Sequence, residues 1–154
     1  MKVTVIGQGY VGLPLAMAAV DAGWIVIGVD NFEAKVDQIN GGTSPVEDVS
    51  DRQLQAAISN GHYKATTDFS EIAKASVVTI CVPTPLNDNR EPDLSLLRSA
   101  ATGIAPFVSE KTHWIVQKHG LFQSYYYNHH YGQDRNLRDK YIDHPFFEAT
   151  LNFC

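Results

Sequence analysis

The sequence predicts an α/β protein in which one domain is built on a doubly wound parallel sheet of about five strands. Two observations predict this fold. Short β-branched or apolar runs alternate with helix-like segments from residue 1 to about residue 112, as strands joined by crossover helices do. The runs at 24–29 and 77–82 are almost continuously apolar, which is typical of strands covered on both faces. Because a complete sheet of this kind has a sixth strand, the sheet is expected to be incomplete.

Each predicted element rests on a local signal. The elements are a strand at 2–6, a helix at 13–22, a strand at 24–29, helices at 32–40 and 50–59, a strand at 63–66, a helix after 68, a strand at 77–82 and a helix from about 93 to 105. The helices show apolar residues at spacings of three and four. Ser50 with Gln53, and Asp68 with Glu71, have the spacing of capping boxes.

Composition excludes several classes of function. The chain has 154 residues, with 12 basic against 17 acidic side chains and a net charge of -5, so a nucleic-acid partner is not expected. No apolar stretch approaches the roughly 20 residues of a membrane span, and the amino terminus does not resemble a signal peptide. Two cysteines cannot form a disulfide framework. We therefore expect a cytoplasmic protein.

A glycine-rich turn carries the clearest chemical signal. Residues Gly7, Gly9 and Gly12 form the pattern G-x-G-x-x-G between the first predicted strand and the first predicted helix, which is the context of a Rossmann-type dinucleotide-binding fingerprint. Gly7 permits the tight turn, Gly9 lets a pyrophosphate approach, and Gly12 lets the helix pack against the strand. The amide groups at the helix start then face the phosphates. A glycine turn without a ligand is the alternative.

An acidic residue stands where this fingerprint needs one. Asp30 ends the second predicted strand, 18 positions after Gly12, and its carboxylate would accept hydrogen bonds from the adenosine ribose. The same charge would repel a 2′-phosphate, which favours NAD over NADP. Lys35 lies close enough to reach the ribose or a phosphate. The alternatives are a helix-capping acid at Asp30 and a solvent-exposed lysine at Lys35.

A proline-rich loop ends the fourth predicted strand. Val82, Pro83 and Thr84 lie in this loop, and ligands of open α/β sheets bind beyond the carboxyl ends of the strands that flank the reversal of strand order. The first and fourth strands are expected to flank that point, which would hold the Thr84 hydroxyl near a cofactor. A plain strand terminator is the alternative. Cys81 is expected to be a buried small side chain rather than a nucleophile.

Residues 113–154 differ in composition from the rest of the chain. They hold five of the six histidines and ten of the sixteen aromatic residues. Residues 113–118 are compatible with a fifth strand, whose exposed edge would favour homo-oligomers. His129 and His130 lack the spacing of a metal site, so no metal is expected. Two explanations stay open for this segment, an out-of-frame or truncated coding sequence and a divergent or disordered tail.

The motifs in combination resemble a known family. GQGYVGLPLA, then GVD with Lys35, then VPTPL followed by PDLS look like the nucleotide-sugar 6-dehydrogenases, the UDP-glucose/GDP-mannose dehydrogenase family. INGGTSPVEDVSD is more similar to the branch acting on UDP-N-acetylglucosamine and UDP-N-acetylmannosamine. The resemblance covers residues 1 to about 112, which we take as the NAD-binding domain.

The resemblance implies an NAD-dependent, four-electron oxidation of a sugar C6 alcohol to the uronic acid. It also implies which residues contact NAD. Carried over by position, these are Gly7, Gly9, Tyr10, Val11 and Gly12 at the pyrophosphate, Asp30 and Lys35 at the ribose, and Val82, Pro83 and Thr84 beside the nicotinamide.

The chain departs from the family pattern after the first 112 residues. The Glu-Ser-Thr segment, the Pro-Gly-Thr turn, the catalytic Glu, Lys and Asn, and the nucleophilic Cys of the family have no match here. The resemblance therefore assigns no catalytic residue to this chain, and we expect it to bind NAD without turnover, a nucleotide-sugar substrate belonging to a full-length form. A non-catalytic nucleotide sensor or regulatory module and an unstable truncated fragment are the alternatives.

Overall fold

A parallel sheet organises the amino-terminal part of the chain. The computed structural model describes residues 1–85, 93 and 95–154, which form two compact units, 1–103 and 104–154. The described strands of the first unit are β1 (Lys2–Ile6), β2 (Ile25–Val29), β3 (Tyr63–Thr66) and β4 (Val77–Ile80), in the order β3-β2-β1-β4. All three neighbouring pairs are parallel, which confirms the predicted α/β fold class.

The helices of the first unit lie where the apolar spacing predicts them. They are α1 (Gly12–Asp21), α2 (Glu33–Asn40), α3 (Asp51–Ser59) and α4 (Ser95–Ile104), whose last residue belongs to the second unit. The Ser50 hydroxyl caps α3 by accepting a hydrogen bond of 3.2 Å from the Gln53 amide, which is one half of the predicted capping box. The Gln53 side chain donates to Asp21 instead. The helix expected after Asp68 is a short 3-10 segment, Phe69–Lys74, whose first turn is held by Asp68 accepting from the Ser70 amide at 2.8 Å.

Strand order reverses beside β1. The chain builds β1, β2 and β3 outward in one direction and then returns to place β4 on the other side of β1. Cα partners such as Ile6 and Ile80 bring the carboxyl ends of β1 and β4 together. The predicted position of the reversal is thus confirmed, and ligands of open α/β sheets bind at this kind of place.

The core lies between the sheet and the three helices α1, α2 and α3. Val3, Val5 and Val26 contribute alternate strand side chains, which share one face of the sheet because strand side chains alternate. Helix α1 packs against β1, β2 and α3, and it contributes the buried Leu13 and Met17 to the same cluster. This packing anchors the start of α1 beside the end of β1, where the glycine motif lies.

The second unit is helical. It contains α5 (Glu110–Gln123) and α6 (Phe147–Phe153), which pack against each other. The Phe122 ring is fully buried and lies 5.2 Å from the Phe147 ring, centroid to centroid. The Trp114 and His144 rings stack at 3.4 Å.

The fifth strand expected at residues 113–118 is wrong, because these residues lie inside α5. The Ser109 hydroxyl accepts a hydrogen bond of 3.1 Å from the Thr112 amide and so caps the helix. Glu110 in the first turn complements the helix dipole. The described residues therefore contain four strands rather than about five. The oligomer expected from an exposed edge at 113–118 loses its basis with that strand.

Among the described residues, no helix is both long and apolar enough to cross a membrane.

Candidate nucleotide-binding site

The glycine motif forms a tight loop that connects β1 to α1 and packs beside Cys81, the residue after β4. Gly7 has a φ of 90°, and its amide donates to the Val29 carbonyl at 2.7 Å. A Cβ on Gly7 would lie 2.5 Å from the Cys81 carbonyl oxygen, and one on Gly12 would overlap the Gly7 carbonyl. Glycine at 7 and 12 is therefore a steric requirement of the loop.

Above this loop the surface is open. A Cβ built on Gly9 meets no atom within 4 Å, and the side chains of Tyr10 and Val11 are 74% and 51% exposed. The first backbone bond of α1 runs from the Leu13 amide to the Gly9 carbonyl at 3.0 Å. Within the part of the chain that the structure describes, the amides of residues 9–12 have no acceptor.

These amides suit an anionic ligand. A helix start with several unpaired N–H groups carries partial positive charge and binds phosphate oxygens. No acidic side chain lies in the first turn of α1 to occupy those donors. The absence of a Cβ at Gly9 leaves the approach open, so the loop fits a pyrophosphate group.

Asp30 follows β2 immediately and is nearly buried, at 5% exposure. Its Oδ2 accepts hydrogen bonds from the Gln8 amide at 2.8 Å and from Lys35 Nζ at 2.7 Å, and its Oδ1 accepts from the Phe32 amide at 3.1 Å. A carboxylate has about four acceptor positions. The position left on Oδ1 can accept one further donor, such as a hydroxyl group.

The surroundings of Asp30 keep it ionised. Burial alone would raise the pKa of Asp30, but the hydrogen bonds from Lys35, Gln8 and Phe32 outweigh burial and lower the pKa below its ordinary value. Asp30 therefore carries a negative charge, and the Lys35 ammonium contacts only Oδ2 of the two oxygens that share this charge. The helix-capping alternative does not describe Asp30, because the N-cap of α2 is Phe32 and no side chain among the described residues caps this helix. The bond from the Phe32 amide closes a turn just before α2.

A cleft of about 200 Å³ opens beside Asp30. Of the predicted cofactor residues, Gly7, Asp30, Lys35, Val82 and Pro83 line it. The other predicted residues, Gly9, Tyr10, Val11, Gly12 and the exposed Thr84, are not among the lining residues. The cleft thus joins Gly7 at the start of the glycine loop, the end of β2 and the loop after β4.

Sequence reasoning missed part of the lining. Asn31, Phe69, Leu96, Ser99 and Ala100 also face the cleft. The last three have the i, i+3, i+4 spacing of one helix face, so the pattern could have marked that side of α4. Nothing in the sequence marks Phe69, whose position depends on how the 3-10 segment crosses from β3 to β4.

Cys81 has a structural position. Its amide donates to the Ile6 carbonyl at 2.7 Å, and its Cβ lies close to Gly12. Burial raises the pKa of the Cys81 thiol, which keeps it protonated and a poor nucleophile. Cys81 is thus a small packed side chain rather than a nucleophile, as expected, but it is partly rather than fully buried.

Comparison with known proteins gives one consistent result. Residues 1–122 match the model of the UDP-glucose/GDP-mannose dehydrogenase family, NAD binding domain. The chain is 44% identical over 105 residues to an NDP-N-acetyl-D-galactosaminuronic acid dehydrogenase of Ralstonia nicotianae, covering 68% of this chain and 24% of that protein. It is 40% identical over 120 residues to a GDP-mannose 6-dehydrogenase of Pseudomonas putida, covering 75% and 27%.

Solved structures agree. A UDP-D-ManNAc dehydrogenase from Pyrococcus horikoshii superposes with a TM-score of 0.66 at 35% identity, covering 70% of this chain and 26% of that one. A GDP-mannose dehydrogenase from Pseudomonas aeruginosa gives 0.65 at 37% identity, covering 68% and 24%. The chain spans about a quarter of the length of these relatives. It belongs to the UDP-glucose/GDP-mannose dehydrogenase family, of which it carries the NAD-binding domain.

Proposed function

We propose that residues 1–112 bind NAD for a nucleotide-sugar 6-dehydrogenase in the cytoplasm, the substrate being a UDP-N-acetylhexosamine whose C6 alcohol is oxidised to the uronic acid. The observation that carries the NAD site is the cleft that Gly7 and the ionised Asp30 line together, with the Gln8 amide joining the glycine loop to the Asp30 carboxylate. The substrate class rests on resemblance, supported by a 36% identical UDP-N-acetyl-D-mannosamine dehydrogenase from Pyrococcus horikoshii.

The cleft and the glycine loop next to it each have a role in this proposal. The amides of Gly9 to Gly12, including Tyr10 and Val11, hold the pyrophosphate. Asp30 accepts a ribose hydroxyl through Oδ1, while Lys35 lies at the same ribose. Val82 and Pro83 lie on the nicotinamide side with Thr84 at its edge. NAD, when bound, supplies the hydride acceptor.

The residues that line the cleft favour NAD binding without oxidation of a sugar substrate. Among its described lining residues the titratable side chains are Asp30 and Lys35, and these two are paired with each other. Oxidation of an alcohol needs a base for its proton. We therefore expect the 154 residues by themselves to bind NAD and to leave a nucleotide sugar unchanged.

Calorimetry with NAD and NADP tests the proposal. We expect NAD to bind and NADP to bind more weakly, and we expect no NADH to form when UDP-N-acetylglucosamine is added. NADH formation above background would refute the expected inactivity. Absence of NAD binding to a folded chain would refute the proposed function.

A further inference from the structure

A buried hydrogen-bonded pair joins the glycine loop to the edge strand β3. Gln8, a variable position of the glycine motif, is fully buried. Its Nε2 donates to the Val5 carbonyl at 2.7 Å, and its Oε1 accepts a hydrogen bond of 2.7 Å from the Tyr63 hydroxyl. Tyr63 is itself 3% exposed. Two polar side chains of this burial are expensive unless they satisfy each other.

The pair crosses over β2, and Gly28 leaves room for it. Gln8 follows β1 and Tyr63 lies on β3, and strand β2 lies between these two strands. A Cβ on Gly28 would lie 2.5 Å from the Tyr63 hydroxyl and 2.6 Å from Gln8 Cδ. The glycine at this position of an otherwise apolar strand is thus explained by the pair above it.

Gln8 also holds the carboxylate of the site. Its amide donates to Asp30 Oδ2 at 2.8 Å, so one residue links Tyr63, the loop and Asp30. Burial, and then the charge of Asp30, raises the pKa of Tyr63. The Tyr63 hydroxyl therefore stays protonated, and it is the donor in its bond to Gln8.

We propose that Gln8 and Tyr63 are positioning residues whose hydrogen bond holds the glycine loop and the Asp30 carboxylate in the arrangement that receives the nucleotide. This inference rests on the proposed NAD site and names what keeps that site in place. Neither side chain lines the cleft, so both act through the main chain of the loop. Their removal should change affinity for NAD without removing a contact to it.

The test is the affinity of the full chain for NAD in Tyr63→Phe, measured well below the unfolding midpoint. This substitution removes one hydroxyl and leaves Gln8 Oε1 buried without its donor. We expect the Kd to rise about threefold to tenfold, the range of one net hydrogen bond. Thr4→Val is the matched control, because the Thr4 hydroxyl is also fully buried but lacks a partner among the described residues. It should leave the Kd unchanged.

A second variant keeps the test independent of stability. Gln8→Leu with Tyr63→Phe removes both polar ends, which relieves the unpaired oxygen. The Kd changes of Tyr63→Phe alone and of Gln8→Leu alone are measured beside it. If the pair acts as one unit, the Kd of the double variant rises by less than the product of the two single rises. Independent, multiplying effects would overturn the inference.

The outcomes separate the two proposals. If the unaltered chain binds NAD and Tyr63→Phe binds it equally well while melting at a lower temperature, the pair is structural only and this inference fails alone. If the unaltered, folded chain does not bind NAD, the proposed function fails and this inference fails with it.

Discussion

Replacing Asp30 with alanine should separate the chain's affinity for NAD from its rejection of NADP. In the structure Asp30 Oδ1 accepts one hydrogen bond, from the Phe32 amide, and the carboxylate is ionised. We propose that the remaining acceptor position on Oδ1 receives a ribose hydroxyl. A hydrogen bond to a charged acceptor contributes about 1.5–3 kcal/mol. Its loss corresponds to a roughly 10- to 150-fold rise in the Kd for NAD.

The effect on NADP should have the opposite sign. In the unaltered chain a 2′-phosphate would meet the Asp30 carboxylate, and like charges in contact cost several kcal/mol. Asp30→Ala removes that repulsion and frees the Lys35 ammonium, which lies 2.7 Å from Oδ2. We expect the preference for NAD over NADP to fall about tenfold or more.

Titration calorimetry with both nucleotides measures the two effects in one preparation. Asp37→Ala is the matched control, because it removes the same charge from exposed α2 surface outside the cleft lining. Asp30→Ala also removes the acceptor of the Gln8 amide, which should lower the stability of the chain. The titrations are therefore made at a temperature well below the midpoint of thermal unfolding. If NAD affinity and NADP rejection both match those of Asp37→Ala, Asp30 has no role at the ribose.

Three further predictions follow from the same geometry. Gly12→Ala places a methyl group against the Gly7 carbonyl and should destabilise the chain by about 1–3 kcal/mol or more. The methyl group of Gly9→Ala enters open space, so this variant should weaken NAD binding with a stability change within about 0.5 kcal/mol. Urea unfolding measures the stability of both variants and calorimetry their affinity for NAD, and equal stabilities would contradict the steric account. Because folding lowers the pKa of Asp30 from 3.8, Asp30 takes up its proton at a higher pH in the unfolded chain than in the folded one. The stability that Asp30 contributes is therefore complete above 3.8 and is lost as the pH falls through the native pKa. Thermal melts down to pH about 2 should show a smaller loss of stability in Asp30→Ala than in the unaltered chain, and an equal loss would show that Asp30 makes no such contribution. Ser50→Ala should cost about 1 kcal/mol by removing the cap of α3, and an unchanged urea midpoint would show that the bond to Gln53 contributes nothing.

Local chemistry explains which parts of the fold could be predicted. Capping by Ser50, the turn at Gly7 and the position of the strand-order reversal all follow from short stretches of sequence or from the order of elements. The strand predicted at residues 113–118 is wrong because the local sequence there does not distinguish the two kinds of element. The short apolar run there fits a strand or a helix, and periodicity alone cannot separate the two. The signal that favours the helix lies outside the run, in the Ser109 cap four residues before it.

The site shows a different kind of limit. The glycine pattern treats the residue after Gly7 as variable, so nothing in the motif assigns Gln8 a role. Its role depends on Tyr63, which is 55 residues away, and on Gly28, which a strand propensity argument would count only as a weakness. Each residue looks unremarkable alone, because the hydrogen bond exists only when β1, β2 and β3 lie side by side. A motif therefore locates a nucleotide site, whereas the packing of three strands decides how firmly its loop and its carboxylate are held.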